Sequence, residues 1–211
     1  MDKAFQTVLD RYNVRLKEER ALLAAEPDRL IKTPNKFLLA LGEPAARFLH
    51  ALIVARDAKR ILELGTSYGY STLFLADAAR ECGARVVTVD VDGAKQAYAR
   101  EQLTKAGLAE HVEFRCGDAL EIVAADEGEW GLVLLDIWKN LYVPCFEAVY
   151  PKLAEEGVIV SDNMIYPEGA RDAVRALRGA IRAKPDLQTV LLPLGSGIEL
   201  TVKWSEGSGK L

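Results

Sequence analysis

Three side-chain oxygens and one amine stand out in the second half of the chain. Asp136 closes the apolar run Gly131-Leu-Val-Leu-Leu135, Asp162 and Asn163 follow the run Gly157-Val-Ile-Val-Ser161, and Lys139 lies three residues past Asp136. Two carboxylates and an amide, with no His or Cys among them, form a hard donor set that suits Mg2+, or Ca2+ as a substitute, and disfavours zinc. A lysine beside such a cation loses its proton more readily, because like charges disfavour the ammonium form. It can then act as a general base. Lys139 also sits near a helix start ahead of Pro144, where a cation opposes the helix dipole, so the position asks for some other reason. Taken singly, each piece has a plainer reading: Asp-Asn is a common turn pair, Lys139 a solvated lysine, Trp138 a cap over the core. Their joint arrival at the ends of two neighbouring strands favours chemistry.

A second group precedes it. Glu63-Leu-Gly65-Thr-Ser-Tyr68-Gly69-Tyr-Ser71 follows a short apolar run, and Asp90 ends the next one, 25 residues beyond Gly65. Two glycines let backbone turn tightly and approach a ligand closely, and the free N–H groups of the helix that starts there suit a carboxylate. A carboxylate at Asp90 can accept hydrogen bonds from both hydroxyls of a ribose. Gly117-Asp118, after a third run, is placed to edge an adenine. The glycine spacing is GxxxG and not the GxGxxG that supports a pyrophosphate, which favours an adenosyl ligand without a diphosphate.

These residues need a scaffold that presents strand ends side by side, and the pattern supplies one. Apolar runs 60–64, 85–90, 112–116, 131–136 and 157–162 alternate with helical stretches 71–81, 93–106, 144–154 and 169–183, with a short helix after the third run. Such alternation implies right-handed crossovers and a parallel sheet covered on both faces. The end breaks the rhythm: 189–194 and 198–204 flank Gly195-Ser-Gly197, a hairpin signal. Ile198, Leu200, Val202 and Trp204 alternate with Glu199, Thr201 and Lys203, which predicts a strand with one buried face. Ahead of the sheet, 2–24 reads as a helix with Phe5, Val8, Leu9, Tyr12 and Leu16 on one face. Residues 27–36 read as irregular, and a second helix follows Gly42-Glu43-Pro44. The expected organisation is a single α/β domain: an N-terminal helical extension over 1–56, an open, mostly parallel sheet with an antiparallel C-terminal hairpin over 57–204, and a loose tail over 205–211.

Composition narrows the class. With 27 Lys and Arg against 31 Asp and Glu the net charge is −4, so no global pull on nucleic acid exists. No apolar run is long enough to span a bilayer, and the acidic N-terminus lacks the features of a secretory or organelle signal. Cys82, Cys116 and Cys145, odd in number and without CxxC spacing, read as reduced core thiols of a cytoplasmic protein. His50 and His111 belong to no ligand spacing.

The Glu63-x-Gly65-x-x-x-Gly69 loop resembles motif I of the class I methyltransferases, which bind S-adenosylmethionine, and the terminal hairpin resembles that class, whose seventh strand runs antiparallel. Leu135-Asp-Ile-Trp-Lys-Asn-Leu-Tyr142 is similar to the metal and lysine segment of catechol O-methyltransferase and its bacterial relatives. Asp162-Asn-Met-Ile-Tyr-Pro167 is similar to the second metal segment of that family, and the resemblance spans residues 35–204. It implies a Rossmann-like class I methyltransferase fold and an S-adenosylmethionine-dependent, divalent-metal-dependent O-methyltransferase of the catechol or caffeoyl-CoA type. It would place the cation on Asp136, Asp162 and Asn163 and the general base on Lys139. The cofactor's ribose would lie on Asp90 and its methionine end near Gly65, Tyr68 and Ser71, with Glu63, Gly69, Asp118 and Asp136 completing that site. Trp138 and Pro167 would wall the acceptor ring, joined by the acidic Glu199 and by Phe37 and Leu39. Many bacterial and caffeoyl-CoA-type members read Asp-Ala-Asp-Lys where this chain reads Asp136-Ile-Trp-Lys139, and relatives often carry an acid at the position of Asn140.

The expected reaction moves the sulfonium methyl onto one oxygen of a small aromatic vicinal diol, with Mg2+ lowering the phenol pKa from about 10 and Lys139 taking the proton. Because bacterial relatives are often dimers, a homodimer is expected. Three other functions fit the pattern less well: methylation of a hydroxylated uridine in tRNA, which also offers adjacent oxygens; a nicotinamide oxidoreductase on a similar sheet, against which the missing GxGxxG counts; and non-catalytic binding of an adenosyl ligand. Against tRNA, the segments expected at the cleft mouth, 35–44, 137–145 and 162–169, supply only Lys36 and Lys139 as cations.

Overall fold

A computed structural model describes residues 1–204; the tail expected over 205–211 lies outside the described residues. Seven strands form one sheet: β1 (Arg60–Leu64), β2 (Arg85–Asp90), β3 (Val112–Cys116), β4 (Trp130–Leu135), β5 (Leu153–Ser161), β6 (Leu187–Leu192) and β7 (Ile198–Lys203). Their order is β3-β2-β1-β4-β5-β7-β6. β1 pairs in parallel with β2 and β4, β2 with β3, and β4 with β5. β7 runs antiparallel to both β5 and β6. The chain winds outward from β1 to β3, then returns to β4 beside β1. That reversal opens a crevice at the carboxyl ends of the strands. Register makes the crevice productive: Val89, Leu64, Leu135 and Ser161 are cross-strand neighbours, so the residues after them emerge in one row.

Alternate strand residues feed two cores. Ile61, Val86, Leu132, Leu134, Val158 and Val160 pack under α1 (Lys3–Ala25), α3 (Glu43–Arg56), α4 (Tyr70–Cys82) and α5 (Gly93–Lys105). Leu62, Leu64, Val87, Val133, Leu135 and Ile159 pack under α6 (Ala119–Ala125), α7 (Tyr142–Val149) and α8 (Arg171–Arg182). Helix starts follow local chemistry. The Asp2 carboxylate accepts the Phe5 N–H at 2.9 Å to cap α1, and Asp92 caps α5 through the Ala94 and Lys95 N–H groups.

Four expectations are corrected. Residues 27–36 contain two short turns of helix, α2 (Arg29–Lys32) and a 3-10 turn at Pro34–Lys36. The helix expected over 144–154 ends at Val149; a 3-10 turn at Tyr150–Lys152 follows, and β5 already begins at Leu153. Pro151 cannot continue the helical hydrogen bonds, and the strand then bulges before the apolar run, with a register shift between Trp130 and Leu132. β7 does not have a single buried face: Glu199 and Thr201 are fully buried while Trp204 is exposed. It lies between β5 and β6 and is covered on both faces, and the more exposed β6 takes the edge. Finally, of the three thiols expected in the core only Cys145 is buried; Cys82 is half-buried and Cys116 exposed. Asp118 lines the cleft and is also the N-cap of α6, accepting the Leu120 and Glu121 N–H groups at 2.8 and 3.1 Å.

Candidate active site

A cleft of about 960 Å3 opens along the carboxyl ends of β1, β2, β4 and β5. It is at the upper end of the roughly 300–1,000 Å3 usual for small-molecule sites. Gly65, Ser71, Asp90, Asp118, Asp136, Trp138, Lys139, Asn163, Pro167, Phe37 and Leu39, all expected at the site, line it.

At its cofactor end, both oxygens of Asp90 are engaged on one side: the Ser67 N–H donates to Oδ2 at 2.7 Å and the Asp92 N–H to Oδ1 at 2.9 Å. These bonds hold the carboxylate at the cleft wall and pull the loop after β1 over it. Gly65 has a stricter reason than ligand approach. At φ +106° a Cβ there would lie 1.9 Å from the Asp136 carbonyl oxygen, so the glycine lets the β1 and β4 loops touch. Gly69, at φ +85°, lets the start of α4 pack on Ala99, 2.6 Å from where a Cβ would be. Glu63 is fully buried beneath this loop and does not reach the cleft. Its carboxyl group accepts the hydroxyls of Ser71, Thr72 and Thr88, each at 2.6 Å, and burial pushes its pKa up to about 7 against those bonds. It braces the loop from below. Tyr68 also turns away: its ring stacks under the Arg15 guanidinium at 4.1 Å and its hydroxyl donates to the Asn35 carbonyl at 3.1 Å.

At the other end, Asp136, Lys139, Asp162 and Asn163 converge. The Asp136 N–H bonds the Leu64 carbonyl and the Asp162 N–H bonds the Leu135 carbonyl, at 3.0 and 3.1 Å, so the sheet ladder itself aims both loops. Asp162 is 1 % exposed, and its Oδ1 has no hydrogen-bond partner. An orphaned buried oxygen costs roughly 1–3 kcal/mol. Burial and the neighbouring Asp136 raise the Asp162 pKa, and burial raises that of Asp136 against the pull of Lys139. Burial lowers the Lys139 pKa, opposed by the two carboxylates. The ammonium donates to Asn163 Oδ1 at 2.5 Å and to the Tyr142 hydroxyl. Tyr142 in turn donates to the Asp162 carbonyl at 2.6 Å. Asn163 reaches this position at φ +57°, a conformation asparagine adopts more readily than most residues. The donor set and the unsatisfied Asp162 oxygen fit a divalent cation.

Trp138 and Leu39 stand half-exposed at the mouth, and Phe37 is buried at 4 %. Glu199 departs from its expected place. It lies outside the cleft lining, with the Thr189 hydroxyl donating to Oε1 at 2.9 Å and Arg178 Nε 3.2 Å away. The doubly covered position of β7 points it at α8. Sequence reasoning missed Tyr142, which steadies Lys139, although it lies three residues on, one helical turn away. It also missed the wall formed by Leu16, Glu19, Arg20 and Leu23 of α1, which no local signal ties to the sheet. The expectation of only Lys36 and Lys139 as cations is corrected: Arg20 and Lys95 line the cleft with Lys139, and Lys36 does not. Arg171, Arg175, Arg178 and Arg182 share one face of α8 and line a separate, smaller groove that has Pro167 in common with the cleft. Among the described residues no helix is long and apolar enough to cross a membrane.

Residues 19–204 match the O-methyltransferase family. The chain is 35% identical over 156 residues to catechol O-methyltransferase of Niastella koreensis, covering 68% of this chain and 69% of that one. It is 29% identical over 206 residues to caffeoyl-CoA O-methyltransferase 1 of Arabidopsis thaliana, covering 88% and 76%. The O-methyltransferase TomG from Streptomyces achromogenes, involved in tomaymycin synthesis and solved in complex with S-adenosylmethionine, superposes with a TM-score of 0.75 at 24% identity, over 97% of this chain and 91% of that one. The fold, the match across nearly the whole chain and the catechol-type relative together place the chain in the O-methyltransferase family, among the class I enzymes that depend on S-adenosylmethionine.

Proposed function

We propose that the protein methylates one hydroxyl of a small aromatic ring that bears two adjacent hydroxyls, using a divalent cation, Mg2+ by preference, on Asp136, Asp162 and Asn163. The observation that carries this reading is the partnerless Oδ1 of Asp162, which is buried behind the cleft lining, near enough to Asp136 for that carboxylate to raise its pKa and next in the chain to Asn163, which does line the cleft. A cation held by these residues would draw electron density from an acceptor hydroxyl and lower its pKa.

The chain's own residues supply the rest. Asp90 accepts the ribose hydroxyls, Asp118 borders the adenine, and Gly65, Ser67 and Ser71 receive the methionine end of the cofactor. Trp138 and Pro167 grip the ring, and Phe37 and Leu39 close its far side, a rigid apolar slot that gains burial energy without stranding polar groups. Lys139 Nζ, depressed in pKa and held by Tyr142, takes the phenolic proton. The acceptor oxygen then forms a bond to the methyl carbon as the carbon–sulfur bond breaks, leaving S-adenosylhomocysteine. No covalent enzyme intermediate is needed.

The arginine row of α8 favours a second reading, in which the acceptor carries phosphate groups, as a caffeoyl-CoA-type ester or a tRNA would. Labelled S-adenosylmethionine with Mg2+, offered catechol, a monophenol, a caffeoyl thioester of coenzyme A and tRNA from a host lacking this protein, separates the two. Turnover of catechol but not the monophenol, lost in excess chelator and restored by Mg2+, is expected. Full activity in excess chelator sinks the metal reading, and efficient methylation of tRNA with no turnover of any vicinal diol replaces the acceptor.

A further inference from the structure

The wall formed by residues 35–39 has little regular structure to hold it. It begins inside the 3-10 turn Pro34–Lys36 and runs on without helix or strand, it contains Leu39 at φ +47°, and it borders the cleft at Asn35 and at Phe37, Leu38 and Leu39. Its backbone polar groups are instead satisfied from two other places. From α1, Glu19 Oε2 accepts the Leu38 N–H at 3.0 Å, and Arg15 Nη2 donates to the Lys36 carbonyl at 3.1 Å. The two side chains are paired through Arg15 Nε and Glu19 Oε1 at 2.8 Å, and both are largely buried, at 26% and 15% exposure. From the loop after β1, the Tyr68 hydroxyl donates to the Asn35 carbonyl at 3.1 Å and the Ser67 hydroxyl to the Leu38 carbonyl at 3.4 Å. Arg15 closes the circuit by stacking on the Tyr68 ring. The same loop is tied by the Ser67 N–H to Asp90.

We infer that Glu19 and Arg15 are positioning residues for methyl transfer: they strap the 35–39 wall onto the Ser67–Tyr68 loop, so that cofactor binding orders the wall against which the acceptor packs. The segment has few apolar anchors besides Phe37 and Leu38, so its closed position depends on these polar contacts and opens locally when they are cut. Because the loop serves both cofactor and wall, an occupied cofactor site makes acceptor binding tighter, and the reverse holds by linkage. The identity of the acceptor wall rests on the function proposed above; the strap itself does not.

The test reads the strap without needing that acceptor. Hydrogen exchange of the 35–41 amides is followed with and without S-adenosylhomocysteine, whose affinity is measured separately by calorimetry. In the wild type the ligand should slow exchange there about tenfold. In Glu19→Ala the slowing should vanish, affinity for S-adenosylhomocysteine should fall by no more than about the same tenfold, as linkage requires, and exchange in the β-sheet should be unchanged. Glu19→Gln, which keeps an acceptor for the Leu38 N–H but loses the ion pair, should recover part of the protection. For whichever acceptor the wild type turns over, Glu19→Ala should raise KM about tenfold with little change in kcat. Unchanged exchange at 35–41 in Glu19→Ala, equal behaviour of the Ala and Gln variants, or a loss of cofactor affinity well beyond about tenfold would each overturn the inference. A wild type that turns over no vicinal diol refutes the proposed acceptor alone, and the exchange result still decides the strap.

Discussion

Two buried aspartates lie at opposite ends of the same sheet. Asp126 precedes β4, at the amino ends of the strands, and its carboxylate is enclosed by guanidinium groups. Arg60 donates to both of its oxygens at 2.8 and 2.6 Å, Arg115 donates at 2.8 Å, and the Gly128 N–H adds a fourth bond at 3.0 Å. Hydrogen bonds from Arg60 hold its pKa far below the usual carboxylate range. Asp162 follows β5, at the carboxyl ends, and is left with one oxygen empty and its pKa raised by burial. Both sites hide a carboxylate. Only Asp126 is satisfied by the chain itself. A parallel sheet separates the two roles: its amino ends can be closed with matched charges for stability, while the carboxyl ends keep unmatched charge for a ligand to complete.

The contrast is sharpest in activity. Asp162→Ala should lower turnover by at least about 100-fold, since removing even an outer partner of a metal ligand costs about 10–100-fold, yet the protein should stay folded. Its stability should behave oppositely to that of a satisfied carboxylate. A pKa raised in the folded state means that folding is opposed as pH climbs above the unfolded carboxylate value near 4. In the absence of divalent metal, thermal melts of Asp162→Asn should therefore gain on the wild type as pH rises. A variant that keeps wild-type turnover, or a metal-free melting point below wild type at pH 8, would remove the distinction between the two aspartates.

Lys139→Ala should reduce turnover by about 100-fold or more without weakening S-adenosylhomocysteine binding. The defect should shrink at higher pH, where more acceptor is already ionised. A loss explained wholly by cofactor affinity would end the general-base role. Asp90 stands between the extremes, half-buried, with a backbone N–H on each oxygen and lone pairs still facing the cleft. Asp90→Ala should weaken S-adenosylhomocysteine by roughly 1.5–3 kcal/mol, about tenfold or more; calorimetry showing wild-type affinity would take it out of the site.

Asp126→Asn should leave turnover alone and destabilise the fold by about 1–3 kcal/mol, a range set by partly exposed guanidinium partners. Its pKa is lowered on folding, so the stability it lends is present above the unfolded value near 4 and fades as pH falls below that. The variant's melting point should therefore converge on the wild type's in acid. A deficit independent of pH, or a turnover defect without loss of stability, would mean that the amino-end cluster is not the structural counterpart described here.

Strand order and the identity of the site were legible in the sequence to different degrees. Asp90, Asp136, Asp162 and Asn163 could be found because each ends an apolar run, and period and run length are local properties. Glu199 could not be placed. Its alternation with Ile198 and Leu200 suggested an open face, and only the insertion of β7 between β5 and β6 covers both sides. Glu63 and Tyr68 were read as cofactor contacts from a loop motif, but one braces the loop from beneath and the other stacks on Arg15.

The sequence alone therefore determined which residue types stand at the strand ends: an all-oxygen donor set, a lysine three positions on, a glycine loop and a carboxylate after β2. Tertiary structure decided their company. It left Asp162 with an unmet oxygen, put Tyr142 against Lys139, brought α1 from the far end of the chain to wall the cleft, and set four arginines of α8 beside Pro167. The physical reason is range. Backbone periodicity acts over a few residues and is written in the chain, whereas desolvation, charge pairing and wall contacts depend on groups that meet only after the sheet has brought distant segments together.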